Sequence, residues 1–346
     1  MRRPDLPPHN GIAFNRQLRF YRETHLLMPY MENMLEAHRE ESRQTWQTVH
    51  QHDAVARTFT RLEGDRVVAS VTGLLTWEGT WMGQQLAADK ERRRCSPGEL
   101  LLTFLDHISP RSDCERMLFF STRHNKKMTA IHSLFASMTG TADAMSQTEV
   151  DIWRTTQSSV ALPPDYTLRP VRTGEKALIS NAAQISFGKE GAKALSITSK
   201  RLFLPTVRRR FRSLGLDRAR KVQIFDVRGI PSLAVFHEHA SWGACLNGIT
   251  NSTWLLPLHG GVNTAETVPS LLRHLGREEN EPHRLIVVPK TVSPSTLQNE
   301  GLDHLVPLNM WVMNRAGLRR YFEFLNQHYA HYTATTWKDQ RDARAS

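Results

Sequence analysis

Apolar residues recur along the chain with two periods. Three runs, Ala56–Leu62, Val67–Trp77 and Thr80–Ala88, carry strand-like patterns and are separated by the turn signals Glu63-Gly64-Asp65 and Glu78-Gly79. They predict an antiparallel meander. Leu100, Leu101, Phe104, Leu105 and Ile108 then repeat at helical spacing, which predicts a helix over Gly98–His107. Arg116–Ser121 follows as a fourth strand. A second helix opens after Asn125 and runs to about Met138, with Gly140 as its C-cap. Upstream, the alternation of Leu18 and Phe20 predicts a short strand over Arg16–Arg22, and Met31–Gln51 predicts one long helix. Glu149–Trp153 reads as a further strand.

The same order then returns. Tyr166–Val171 predicts a strand, Gly174–Ile185 a helix, and the basic segment Lys200–Lys221 a mostly helical stretch. A second meander follows: Val222–Val227, a turn at Arg228-Gly229, Ile230–His239 and Ala244–Leu256. It leads past Gly260-Gly261 into a helix over Ala265–Leu275, a strand at Arg284–Val288, a short helix near Ser293, a strand at Leu305–Met313 and a closing helix at Leu318–Tyr329. The Gly64 and Gly229 turns lie 165 residues apart, and this spacing predicts an internal duplication of one unit. A meander followed by strand–helix alternation implies a mixed α/β (α+β) class, with mostly antiparallel sheets flanked by helices.

Of the 346 residues, 40% are apolar and 23% charged, which suits a globular protein with sizeable cores. No apolar run approaches a membrane span. Cys95, Cys114 and Cys245 are too scattered for a disulfide framework or zinc site, and with no secretory pattern at the N-terminus they suggest the cytoplasm. A net charge of +11 favours anionic partners.

The chemistry concentrates between Gln84 and Leu102. Three arginines, Arg92, Arg93 and Arg94, precede Cys95-Ser96-Pro97-Gly98, and Pro97-Gly98 opens the helix that follows. Unpaired amides and the positive dipole end at that helix start, beside the arginines, suit a phosphate or pyrophosphate.

This order of elements, with Arg93-Arg94-Cys95-Ser96-Pro97-Gly98 between a strand and a helix, resembles the GCN5-related N-acetyltransferase (GNAT) fold, twice over. The resemblance implies acyl-CoA N-acyltransferase-like domains over 16–156 and 166–330, set between a polar, proline-bearing arm over 1–15, a linker over 157–165 and a polar tail over 331–346 that the composition suggests. It further implies acetyl-CoA or acyl-CoA as co-substrate and an amine as acceptor. In that family the strand before the anion loop splays from its neighbour and bonds the pantetheine arm, a role that falls to Leu86, Ala87 and Ala88. Arg93, Arg94, Cys95, Ser96 and Gly98 stand at the pyrophosphate loop, with Ser96 where an inner glycine is usual. Asn125 resembles the asparagine that opens the next helix. The family's proton-donating tyrosine falls at Leu134 or Phe135, neither of which can give a proton. The second loop, His259–Asn263, lacks the leading cation. The alternative is a catalytically inactive tandem protein that binds a nucleotide-type or other anionic ligand.

No residue is assigned as catalytic. Cys95, beside three cations, meets conditions that lower a thiol pKa, but no orienting histidine is evident. His107, His124, His237, His239, Glu78 and Glu238 are candidate bases, and each is also an ordinary structural residue. Arg208, Arg209 and Arg212 share a helix face that could meet a polyanion; a solvated basic face is the plainer alternative.

Overall fold

The computed structural model describes residues 13–89, 97–139, 144–155, 160–258, 264–275 and 284–328. The first half forms α1 (Phe14–Glu23), α2 (Pro29–Ala37), α3 (Arg39–His50), β1 (Ala56–Glu63), β2 (Arg66–Trp77), β3 (Thr80–Ala88), α4 (Pro97–Ile108), β4 (Arg116–Thr122), α5 (Lys126–Thr139) and β5 (Met145–Thr155). The second forms β6 (Tyr166–Pro170), α6 (Glu175–Ala194), α7 (Pro205–Arg212), β7 (Arg218–Val227), β8 (Ile230–Ala240), β9 (Ser252–Pro257), α8 (Thr264–His274), β10 (Arg284–Pro289), α9 (Pro294–Asn299) and β11 (Asp303–Asn314). A last helix, α10, covers 315–328.

All of these strands join one 11-stranded sheet in the order β1-β2-β3-β4-β11-β5-β10-β9-β8-β7-β6. Neighbours are antiparallel except at β3–β4 and β9–β10, which are parallel. The order reads symmetrically outward from the central β11–β5 pair. β5 lies between β11 and β10, and β11 lies against β4, so the last strand of each half sits against the other half. One apolar core runs through both halves, from Tyr30 and Met34 to Trp311 and Tyr321.

Four expectations are corrected. Arg16–Arg22 is helical: Phe14, Leu18 and Tyr21 are buried at four- and three-residue steps, and this longer pattern outweighs a single alternating pair. Met31–Gln51 is two helices that meet at a non-helical His38, whose ring stacks on Trp242 at 4.2 Å. The basic segment is helical only over α7. Gly215, at φ +72°, turns the chain, and from Arg218 it is the strand β7. Ala244–Asn251 is loop and one turn of 3-10 helix, so β9 starts only at Ser252. The Gly140 cap, the Gly260-Gly261 turn, the N-terminal arm up to residue 12 and the tail lie outside the described residues.

The basic strand conceals a buried charge cluster. Arg218 and Arg220 point inward on β7 and both bond Glu238 of β8, with all three side chains only 1% exposed. Arg218 also donates to the Thr76 carbonyl at the end of β2, and Trp77 Nε1 donates to Glu238 at 3.2 Å. Arg220 reaches the Leu195 carbonyl at 2.8 Å. Burial pushes the Glu238 pKa up, but the two guanidiniums more than offset it and hold the carboxyl below its ordinary range.

Removing one partner of such a cluster leaves buried charge without compensation, which costs roughly 3–5 kcal/mol. Glu238→Gln is therefore expected to lose about that much in urea unfolding, whereas Glu40→Gln on the exposed face of α3 should change it little. Because the folded-state pKa of Glu238 is depressed, its contribution is present above the ordinary value of 4.5 and is lost as pH falls through the lower folded value. The wild-type protein should weaken on acidification in that window more steeply than the variant.

Candidate functional site

β3 departs from its neighbours past Gly83, besides a register shift between Leu75 and Trp77 at its turn with β2. Toward β2 its register shifts: Thr72 faces Gln84 and Ser70 faces Ala87, so Gln85 and Leu86 share the place opposite Val71. This is a β-bulge, and Gln85 takes the left-handed conformation at φ +60°. Toward β4, the parallel pairing runs from Thr80–Arg116 to Gly83–Phe119 and ends there. Beyond Gly83 the two strands diverge, and β3 leads toward the N-terminus of α4. The result is a fork between adjacent parallel strands, with α4 flanking it.

At the fork's root the Phe119 ring occupies the space of a Gly83 side chain, since a Cβ there would lie 2.2 Å from the ring. A second absent side chain lets Phe104 of α4 reach the sheet, 2.7 Å from where a Gly73 Cβ would stand. Glycines at these two places let aromatic rings close on the backbone. Behind Phe119, His132 of α5 packs among Phe119, Trp311 and Tyr321, with neither ring nitrogen partnered among the described residues. Burial pulls its pKa down to about 4, so it is neutral at pH 7.

Among the sequence-predicted residues, Leu86 and Ala88 are half-buried on the diverging end of β3, Ala87 is buried, and Gly98 is half-buried in the first turn of α4. Arg92, Arg93, Arg94, Cys95 and Ser96 lie outside the described residues. Asn125 Oδ1 accepts the Met128 amide at 3.1 Å, so it caps α5 at the exit of β4. Leu134 is exposed, and Phe135 packs against Tyr321 and Phe324 of α10. A hydroxyl added at Phe135 would enter this aromatic core, which rules the position out as a place to restore a proton donor.

Four of the six candidate bases have structural duties, and His124 and His239 are exposed. Glu78 Oε1 accepts the Thr206 and Val207 amides at 2.6 and 3.1 Å and so caps α7, and Glu238 belongs to the buried cluster. His107 bonds the Thr103 carbonyl and packs on Phe59, and His237 bonds Thr253. The bulge and the unpartnered His132 were missed from sequence. The Gly83-Gln84-Gln85 break in an otherwise apolar strand was the signal available for the first; for the second there was none.

The other parallel pair, β9–β10, also stops early, at Trp254–Val287. Its β8–β9 register is unbroken, however, so no bulge accompanies it. The loop predicted at His259–Asn263 lies outside the described residues.

No family model and no curated protein matches the sequence. Solved structures overlap it in part. A Drosophila protein is 12% identical, over 87% of this chain and 95% of its own, with a TM-score of 0.49. A tandem GNAT protein from the clavulanic acid biosynthesis pathway is 14% identical, over 75% of this chain and 83% of its own, at 0.35. A GCN5-related N-acetyltransferase from Sphaerobacter thermophilus is 10% identical, over 75% of this chain and 81% of its own, at 0.43. The fold is GNAT-like on its own topology: in each half a meander leads through one parallel pair that splays, with a helix between the paired strands.

Gly83→Ala should lower Tm, because the new methyl group meets the Phe119 ring. Gly83→Ala combined with Phe119→Leu should recover part of the loss in thermal melts. Equal melting of wild type and Gly83→Ala would mean that the fork's root is not packed as described.

Proposed function

We propose that the chain is an acyl-CoA-dependent N-acyltransferase whose donor occupies the fork between β3 and β4. The observation that supports this most is the bulge at Gln85 beside the fork, on the strand that leads to the start of α4. In this reading the backbone of Leu86, Ala87 and Ala88 bonds the pantetheine arm of acetyl-CoA or a longer acyl-CoA. Arg93, Arg94, Cys95, Ser96 and Gly98 hold the pyrophosphate, and Asn125 borders the arm from the start of α5. The acceptor nitrogen attacks the thioester carbonyl carbon, a C–N bond forms, the C–S bond breaks, and the proton shed by nitrogen ends on the departing sulfur. Such a transfer depends chiefly on positioning, and the amine proton can travel through water.

The sheet's symmetric strand order supports an origin by duplication of one unit, with the bulged first half retaining the donor site. The composition favours the cytoplasm. A non-catalytic tandem binding protein is the reading to be tested against this one, because no proton donor has been placed at the fork.

Calorimetry with acetyl-CoA on the folded chain tests the donor site. Arg93→Ala and Arg94→Ala should each weaken binding about tenfold or more, since a charge-assisted bond to phosphate contributes roughly 1.5–3 kcal/mol. Gly98→Val should weaken it by blocking approach to the α4 amides. Unchanged affinity in all three would reduce this loop to a basic turn. Binding without turnover on any amine would favour the non-catalytic reading.

α7 supports a second contact. Arg208, Arg209 and Arg212 are exposed along one face, whereas Arg210 is anchored to Asp113 and the Ala54 carbonyl. Charge reversal at the three exposed positions should weaken heparin or nucleic-acid binding with little change in Tm, as exposed charges contribute little to folding. Unfolding of that variant would contradict the surface assignment.

A further inference from the structure

The face of the first meander opposite α4 carries polar residues where an apolar core is the rule. Thr58, Thr72 and Gln84 are cross-strand partners on β1, β2 and β3, so they form a row across the sheet, and all three are buried. Gln17 and Tyr21 of α1 and His50 of α3 cover this face and are buried as well. Part of the hydrogen bonding is satisfied within the protein. His50 Nδ1 pairs with the Thr58 hydroxyl, Thr58 with Thr72 at 3.0 Å, and the Tyr21 hydroxyl donates to Gln85 at 2.8 Å.

The remainder is not. Both amide atoms of Gln17, His50 Nε2, Gln84 Nε2 and Gln85 Nε2 are shielded from solvent and have no partner among the described residues. Each such atom destabilises the fold unless something supplies a hydrogen bond. Several gathered at one row mark a place built for a polar guest. The row is also without formal charge. Burial pushes the Tyr21 phenol up to about 12 and pulls His50 down to about 3, so both are neutral at pH 7.

Gln84 directly follows Gly83, where the fork opens, so the row leads to the place where the thioester would lie; this step rests on the fork being the donor site. We propose that the row is the acceptor subsite and that it selects an amine on an uncharged, hydroxyl-rich skeleton of the amino-sugar class. Hydroxyl groups both donate and accept, which matches the mixed set of amide and imidazole atoms left open. A carboxylate or a second ammonium would be desolvated there without a counter-charge. The same surroundings disfavour the ammonium form of the reacting nitrogen and so present the neutral amine that attacks.

Calorimetry on the full chain with glucosamine, glutamate, spermidine and a lysine peptide, with and without acetyl-CoA, tests this. Glucosamine should bind at least tenfold more tightly than the charged amines. Gln17→Leu and Gln84→Leu should each weaken glucosamine at least tenfold and leave acetyl-CoA affinity within about twofold, with at most a small fall in Tm, because the bonds lost within the fold are the weak one from the Cys245 thiol to Gln84 Oε1 at 3.4 Å and the contact of Gln17 with the Tyr21 hydroxyl. Thr72→Val serves if either variant fails to fold. Glucosamine binding that these variants abolish, in a protein that does not bind acetyl-CoA, would remove the donor reading and leave the row standing. Acetyl-CoA binding with charged amines preferred, with glucosamine unaffected by the variants, or with no glucosamine binding at all, would overturn the row and leave the donor site standing.

Discussion

Glu238, with Arg218 and Arg220, is the interaction on which the two halves depend. Each guanidinium bonds the carboxylate and also reaches a backbone carbonyl: Thr76 at the end of β2 for Arg218, Leu195 beyond α6 for Arg220. The cluster therefore ties the outer strands of one half to the first meander of the other, although the sheet order separates them widely. Charges so deeply buried are tolerable only because every one is paired. Around them Glu78 caps α7, Arg201 holds Glu115 through two bonds at 2.7 Å, and Arg116 reaches Glu190. Much of the basic excess of this region is thus structural cement, while Arg208, Arg209 and Arg212 stay exposed on α7.

That tie matters to the site because β3 is held firmly at one end and released at the other. Thr76, Trp77 and Glu78 are fastened at the β2–β3 turn, and the pairing with β4 is regular as far as Gly83. The bulge at Gln85 then redirects the strand. A bulge with a non-glycine residue at positive φ costs of order 1 kcal/mol or more. Such strain persists where the surrounding structure enforces it, and here Tyr21 holds the Gln85 side chain.

The fork has two dissimilar sides. Gly73 and Gly83 admit the aromatic rings of α4 and β4 on one face, which makes it apolar and close-packed. Thr58, Thr72 and Gln84 lie on the other, polar but uncharged. A donor and an acceptor approaching from opposite faces would meet at the divergence, each in surroundings suited to its own chemistry.

The hydrophobic pattern by itself determined both meanders, the helices α4 and α5, and the strand–helix alternation, because period-two and helical spacings reflect local burial that the chain carries wherever it folds. It misjudged Arg16–Arg22, where two apolar residues fit either period, and Arg218–Lys221, where the inward positions of a strand are arginines that only a distant glutamate makes tolerable. Tertiary structure alone decided the placing of β5 and β11 against each other's halves, the end of β3–β4 pairing at Gly83, and the polar row under α1 and α3. Each of these depends on residues far apart in the chain, and local periodicity holds no record of which strand will be the neighbour.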